Sequence, residues 1–137
     1  MKTFINLIFA LFVTTITVAQ AKPVKIVFDV TSSNTKVHKS TIRHIKAMSD
    51  AYKDSKFEIV IYGGAKEMVL KDKSEVIDDL KMLAQKDNID FVMCEGTMKR
   101  HKIDASQLIV GVRSVPDGIL EIVEKQAEGW GYIKEGQ

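Results

Sequence analysis

The chain has 137 residues, which at roughly 100 to 200 residues per domain is the length of one domain, without room for separate cofactor and substrate domains. Twenty Lys and Arg against 18 Asp and Glu give a net charge of +2. The sequence therefore lacks the basic excess of a charge-driven nucleic-acid binder, and we predict neither nucleic acid as a partner nor a cofactor.

The chain begins with a pattern typical of a secretory signal peptide. Lys2 is followed by an apolar stretch over residues 4–18 and by small residues up to Ala21. The stretch is shorter than the roughly 20 residues that span a bilayer. Cleavage after Ala21 would leave residues 22–137 as the domain and remove one charge, that of Lys2. We expect an exported protein, periplasmic in a Gram-negative cell and otherwise secreted, with no membrane attachment after cleavage.

Five short apolar runs predict the strands of a sheet. They are rich in β-branched and aromatic residues and bounded by polar residues, glycine or proline, as in strands that are covered on both faces. The runs span residues 24–30, 57–62, 90–94, 111–115 and 130–134.

The segments between these runs have helical periodicity. The apolar stripes span residues 37–52, 76–84 and 119–127. A polar cluster at residues 31–34 precedes the first stripe, Ser74 is a candidate N-cap for the second, and Gly129 can end the third. Strands that alternate with helices predict an α/β fold, a three-layer α/β/α sandwich with a mostly parallel sheet of about five strands.

Functional loops of such a fold lie at the carboxyl ends of its strands. The first predicted strand is followed by residues 31–34 and then His38, the second by Gly63 and Gly64, and the third by residues 94–98. Gly63-Gly64 lacks the Gly-Lys-Ser/Thr ending of a phosphate loop, so we interpret it as a tight turn. The three histidines have no metal-ligand spacing, and we predict no metal site.

Cys94 is the candidate nucleophile at these strand ends. It is the only cysteine, so neither an intramolecular disulfide nor a lipid anchor is possible. Thr97 is predicted to cap a short basic helix through Lys102, which would place Cys94 where the helix dipole and free N–H groups favour an anion. Cations such as Arg100 would favour the thiolate, and Glu95 would oppose it. Inert packing is the common alternative for a cysteine that ends an apolar strand.

In four segments the sequence resembles the DsrE/DsrF-like family of small sulfur-relay proteins, particularly its exported single-domain members. The segments are residues 25–31 with His38 soon after, 58–64, 94–98 and 126–134. The cysteine followed by Thr-Met, and the closing Gln, Gly-Trp and Tyr-Ile, are the more specific parts. One departure is Gly63-Gly64, where exported relatives often have a His-Gly pair.

The resemblance implies a five-stranded α/β/α fold, small homo-oligomers and a cysteine that accepts sulfur as a persulfide, matched here by Cys94. The candidates for binding an anion or substrate near Cys94 are Gly96, Thr97, Met98, Arg100, His38, Gly63 and Gly64. The donor and acceptor stay open, because the best understood relatives serve cytoplasmic relays that an exported protein cannot meet.

Two hypotheses of function follow from the sequence. The first is a thiol-based sulfur carrier, possessing sulfurtransferase-like or relay activity, which needs only one cysteine, whereas thioredoxin-type chemistry needs a Cys-x-x-Cys pair that is absent. The second is a non-catalytic oligomeric module that binds a small anion or a partner protein and keeps Cys94 buried and inert. For Trp130 and Tyr132 we favour a role in the core or at an edge strand over a subunit contact.

Overall fold

The computed structural model describes residues 22–136, in which strands alternate with helices. The predicted signal peptide, residues 1–21, lies outside the described residues. The strands are β1 (Lys25–Val30), β2 (Lys56–Ile61), β3 (Ile89–Cys94), β4 (Val112–Val115) and β5 (Gly131–Glu135). The α-helices are α1 (Thr35–Ala51), α2 (Ile77–Leu83), α3 (Glu95–His101) and α4 (Gly118–Ala127), with 3₁₀ helices at Gly63–Val69 and Ala105–Gln107. No helix of residues 22–136 is long and apolar enough to cross a membrane.

The five strands form one sheet in the order β4-β3-β2-β1-β5, and every neighbouring pair is parallel. The register places Val27 of β1 beside Glu58 of β2, and Glu58 beside Asp90 of β3. The predicted five-stranded α/β sandwich is thereby confirmed. Because all strands run the same way, their carboxyl ends meet at one edge of the sheet.

Alternate residues of each strand face opposite sides of the sheet, and the two sides are packed differently. The larger core contains the strand residues Phe28, Ile59 and Phe91 and side chains of α1 and α2, such as Ile45 and Leu80. We call this side the first face. The smaller core lies on the other side, the second face, and its buried members are Val27, Val60, Val92, Val115 and, from α4, Ile122.

Two helices begin where the sequence predicts. The side chain of Asn34, in the predicted polar cluster, accepts a hydrogen bond from the N–H of Lys36 at the start of α1. The carboxylate of Asp117 accepts the N–H groups of Ile119 and Leu120 at the start of α4. After α4, Gly129 has a φ of +86°, the left-handed conformation that favours glycine at a helix end.

The prediction for Ser74 is wrong. Helix α2 begins at Ile77 with Val76 as its N-cap, because the carbonyl of Val76 accepts the first helical hydrogen bond, from Leu80. The Ser74 hydroxyl instead donates to the carbonyl of Met68 and accepts the N–H of Val76, so it stabilises the loop before the helix.

The tight turn predicted at Gly63-Gly64 is also wrong, because a 3₁₀ helix begins there and continues to Val69. Gly63 has a φ of +58°, which L side chains rarely adopt. Gly64 packs closely on the segment after β1, since a Cβ at this position would lie 2.8 Å from the carbonyl oxygen of Thr31. The glycine pair thus directs the chain from β2 back across the end of β1.

Candidate functional site

Four strand ends border one cavity of about 460 Å³ at the carboxyl edge of the sheet. The segments after β1 and β2 contribute Thr31, Tyr62 and Gly63, and those after β3 and β4 contribute Cys94 and, among others, Ile119. A larger hollow of about 720 Å³ lies at the amino ends of β1 and β2, between Lys22 and Ser55, but no thiol or histidine lines it. We therefore take the smaller cavity as the candidate site.

Cys94 ends β3 and is itself the N-cap of α3, which begins at Glu95. The prediction that Thr97 caps this helix is wrong, because Thr97 lies inside its first turn. The thiol lies even closer to the helix amino terminus than predicted, and the N–H groups of Gly96 and Thr97 act on it as donors that lower its pKa. The N–H of Gly118 at the start of α4 does the same, so two helix amino termini meet at one sulfur atom.

Hydrogen bonding outweighs burial at this thiol. Burial raises the pKa of Cys94, but the N–H groups of Gly118, Thr97 and Gly96, together with the Thr97 hydroxyl, lower it, and the net pKa is below its ordinary value. Hydrogen bonds that donors make to the charged form stabilise that form. The surroundings of Cys94 therefore favour the thiolate, which is the nucleophilic species.

Gly118 allows α4 to approach the thiol. A Cβ at this position would lie 3.1 Å from Cys94 Cβ and 3.2 Å from Val60 Cγ1, closer than side chains normally pack. Sequence reasoning assigned Asp117-Gly118 only to the end of a strand and missed its role here. An N-cap aspartate followed by glycine, directly before a helical stripe, was the signal that indicated a helix start.

The Thr97 hydroxyl links the ends of two strands. It accepts the N–H of Gly63 at 3.0 Å and is one of the groups that lower the pKa of Cys94. A hydroxyl can accept one hydrogen bond while donating its own proton, so the Gly63 N–H directs the Thr97 O–H toward the sulfur. This hydrogen bond makes Gly63 part of the site through its backbone N–H. The glycine is favoured there by its backbone conformation and does not belong to a phosphate loop.

A polar cluster that sequence reasoning missed includes two residues of the cavity lining, Thr31 and Tyr62. Lys134 Nζ lies 2.9 Å from Asp29 Oδ1, 2.7 Å from Thr31 Oγ1 and 5.8 Å from the centre of the Tyr62 ring. Tyr132 donates its hydroxyl to Asp29 Oδ2 at 2.7 Å. Burial and the Asp29 carboxylate raise the pKa of Tyr62 to about 12, so its phenol stays protonated at neutral pH. Tyr62 directly follows β2, and its position at a strand end was the available signal.

Arg100 is another predicted residue that borders the cavity. It adds a guanidinium group to the same cavity as the thiol. Glu95, predicted to oppose the thiolate, accepts a hydrogen bond from the Ser114 hydroxyl at 3.0 Å, which directs its carboxylate to β4.

The remaining predicted residues lie outside the cavity lining. His38 is buried in α1 and donates from Nε2 to the carbonyl of Ser32 at 2.7 Å, and Met98 packs in the larger core. Gly64 packs on the backbone after β1. A role for these three in binding an anion stays a prediction. Within residues 22–136, no group of three or more His, Cys, Asp or Glu side chains is placed to hold a metal ion.

The fold and the site define a small α/β protein with a parallel sheet and a single thiol held by helix amino termini at its carboxyl edge. The sequence matches the model of the DsrE/DsrF-like family over residues 25–134, and the chain belongs to that family. A search of the curated proteins finds no significant match.

Solved structures with the same fold come from archaea and bacteria. The protein of unknown function MTH1491 from Methanobacterium thermoautotrophicum is 25% identical, with a TM-score of 0.76 over 81% of this chain and 98% of that one. The ychN protein from E. coli is 13% identical, with a TM-score of 0.67 over 83% and 99% of the two chains. The conserved protein of unknown function BT1422 from Bacteroides thetaiotaomicron is 16% identical, with a TM-score of 0.65 over 80% and 93%.

Proposed function

We propose that this protein is a thiol-based sulfur carrier in which Cys94 takes up sulfane sulfur as a persulfide and passes it on. The observation that carries the proposal is the meeting of two helix amino termini at the Cys94 sulfur, beside an open cavity with Arg100 in its lining. The same N–H groups can stabilise the negative charge of a thiolate and of a persulfide, because both are sulfur anions. Membership of a family linked to sulfur relay supports this chemistry.

The transfer needs no external oxidant or reductant. The Cys94 thiolate attacks the outer sulfur of a donor persulfide or polysulfide, a new S–S bond forms, and the donor's S–S bond breaks with its electron pair leaving on the donor thiolate. In the second step an acceptor thiolate attacks the outer sulfur of the Cys94 persulfide. The electron pair of that bond returns to Cys94, which is again a thiolate.

Mass spectrometry of the intact protein tests the proposal. After exposure to polysulfide and removal of excess donor, we expect an added mass of about 32 Da, that of one sulfur atom, or a multiple of it, on Cys94. A low-molecular-weight thiol should then remove the added mass. Cys94→Ser is the matched control, because it removes the only thiol and changes one atom. Equal sulfur uptake by wild type and Cys94→Ser would refute the carrier function.

A second candidate is a non-catalytic binding module with an inert thiol. The observation that favours it is burial, since Cys94 is only 8% exposed. The rate of reaction with an aromatic disulfide reagent separates the two functions. A carrier is expected to react in the native state, whereas an inert thiol reacts only after denaturation.

We also propose that the protein is exported and forms a homo-oligomer. Export rests on the sequence pattern of residues 1–21, and N-terminal sequencing of the mature protein is expected to begin at Lys22. Assembly is implied by the family resemblance and is supported by α4, on which Ile119, Leu120 and Val123 are each more than half exposed. Light scattering after size exclusion measures the number of subunits.

A further inference from the structure

A buried carboxyl group lies beneath α4, on the second face of the sheet. Glu58, in the middle of β2, is 2% exposed. Its Oε2 lies 3.1 Å from Lys125 Nζ and 3.4 Å from Arg113 Nη2. Its other oxygen, Oε1, is buried and has no hydrogen-bond partner among the residues that the structure describes. An orphaned carboxylate oxygen in such a place is costly, so it needs a donor.

Glu121 of α4 is bound by the same two cations. Its Oε1 lies 3.5 Å from Lys125 Nζ and 3.7 Å from Arg113 Nη2. Asp90 of β3 lies 2.7 Å from Nε of the same arginine. Three carboxyl groups therefore face two cations, and full ionisation would leave one negative charge without a counter-ion.

Within residues 22–136, the three carboxyl groups form ion pairs only with these two cations, and Lys56, two residues before Glu58 on the same face of β2, is exposed and forms no ion pair with it. On β1 the neighbour of Glu58 is the apolar Val27. Beyond the end of α4, Glu128 adds a further negative charge near Lys125. A proton held between Glu58 and Glu121 would give the orphaned oxygen a hydrogen-bond donor, and it would also neutralise the surplus negative charge of the cluster.

The carboxyl pair has the properties expected for a shared proton. Burial and, after it, the neighbouring Glu121 carboxyl raise the pKa of Glu58 to about 7, against the opposing effect of Lys125. Two carboxyl groups in contact behave as a pair that binds the proton jointly.

Glu121 lies one helical turn after Gly118, the residue of α4 that packs against Cys94. Glu121 follows Gly118 by three residues, about 4.5 Å along the helix axis, and its N–H donates to the carbonyl of Asp117 at 3.0 Å. Gly118 packs against Cys94, since a Cβ on Gly118 would lie 3.1 Å from Cys94 Cβ, and its N–H is a donor that lowers the pKa of the thiol. The contact that fixes Glu121 to β2 therefore also fixes the first turn of α4 against Cys94.

We propose that Glu58 and Glu121 share one proton, and that this proton holds the first turn of α4 on the sheet and so positions the Gly118 N–H at Cys94. Glu58 is then a positioning residue for the thiol. The inference rests on the proposed function only in so far as it concerns the same thiol, and it does not depend on sulfur transfer.

The direction of the pH dependence follows from the raised pKa. Between the ordinary glutamate value of 4.5 and about 7, the native state holds a proton that the unfolded chain releases. Stability from this group is therefore complete below pH 4.5 and is lost as the pH rises through about 7. The folding equilibrium constant falls by at most about tenfold per pH unit in this window, the effect of one proton.

Glu58→Gln and Glu121→Gln test the proposal, because each supplies an amide donor in place of the proton and leaves two carboxyl groups facing two cations. Glu124→Gln, at an exposed position of the same helix, is the matched control. Urea unfolding of each protein from pH 5 to 8.5 measures the shared proton. The free energy of unfolding of the wild type and of Glu124→Gln is expected to fall more steeply with rising pH than that of Glu58→Gln and Glu121→Gln. These two variants lose the contribution of the shared proton and keep that of every other titrating group.

Alkylation of Cys94 by iodoacetamide over the same pH range measures the positioning. Loss of the proton loosens the first turn of α4 in the wild type, so its thiol is expected to titrate more broadly and with a higher midpoint than in Glu58→Gln and Glu121→Gln. Circular dichroism checks that each variant is folded, and Glu121, which is less buried than Glu58, provides the second variant should Glu58→Gln not fold.

If the free energy of unfolding falls equally steeply with rising pH in the wild type, Glu58→Gln and Glu121→Gln, the shared proton is refuted. If the stability profiles differ between the wild type and these variants but the pH profiles of alkylation coincide, the link between the shared proton and Cys94 is refuted. Neither urea unfolding nor alkylation needs a sulfur donor. A failed sulfur-uptake experiment would therefore overturn the carrier function without affecting these two tests.

Discussion

The two faces of the sheet bury different kinds of residue. On the first face, three phenylalanines and many aliphatic side chains form one large core with α1, α2 and the loops beside them. On the second face, a single helix, α4, packs on a few valines, and two acidic side chains, Asp29 and Glu58, are buried at strand positions that alternate with those valines. Both acids have cationic partners, Lys134 for the first and Lys125 for the second.

This difference separates stability from the site. Burial of large apolar side chains is the main source of folding free energy, so the first face contributes most of it. The second face contributes less apolar area, but it carries the helix whose amino terminus contacts Cys94. The following variants test this division of roles, in order of decreasing effect.

Truncation of the first-face core should have the largest effect. Phe91 and Val92 are neighbours on β3 that face opposite sides and are fully buried. We expect Phe91→Ala to lower the free energy of unfolding by about 3–5 kcal/mol and Val92→Ala by about 2 kcal/mol. Urea unfolding measures both losses. Equal losses would show that the second face stabilises the fold as much as the first.

Gly118→Ala should affect both stability and the thiol. The added Cβ would lie 3.1 Å from Cys94 Cβ, so we expect a loss of about 1–3 kcal/mol and displacement of the start of α4. With the Gly118 N–H displaced, the pKa of Cys94 should rise and alkylation at neutral pH should slow severalfold. Gly136→Ala is the control, because a Cβ there meets no atom within 4 Å. An unchanged alkylation rate would contradict the role assigned to α4.

Thr97→Val should have a smaller effect on stability but a clear one on the thiol. The change removes the oxygen that accepts the Gly63 N–H and the hydroxyl that lowers the pKa of Cys94, at a cost of about 1 kcal/mol. The pKa of Cys94 should move back up, so the pH profile of alkylation shifts to higher pH. Thr97→Ser keeps the hydroxyl and should leave that profile close to wild type, and a shift as large as that of valine would exclude the hydroxyl as its cause.

Leu120→Lys should change the stability of one subunit by less than about 0.5 kcal/mol, because the side chain is 52% exposed. If α4 forms the subunit contact, the same change lowers the mass measured by light scattering to that of one chain. Met82→Lys, at an exposed apolar position of α2, should leave the mass unchanged. A wild type that is monomeric at all concentrations would remove the oligomer from the proposed function.

Local patterns were sufficient where one segment determines its own structure. The β-branched runs predicted all five strands to within one or two residues, and the polar cluster at residues 31–34 indicated the start of α1. The same reasoning failed at Ser74, whose hydroxyl bonds within the loop before α2, and at Thr97, whose hydroxyl bonds to the end of another strand. Capping propensity is local, whereas these partners depend on the fold.

The sequence by itself determined the alternation of strands and helices, the single cysteine and its place at the end of a central strand, because these follow from periodicity and composition. The tertiary structure decided which groups surround that cysteine. Gly118 and Tyr62 reach it only when three strand ends meet, and Glu58 lies in what the sequence presents as an apolar strand. Close approach and buried charge depend on residues distant in sequence, so packing alone determines them.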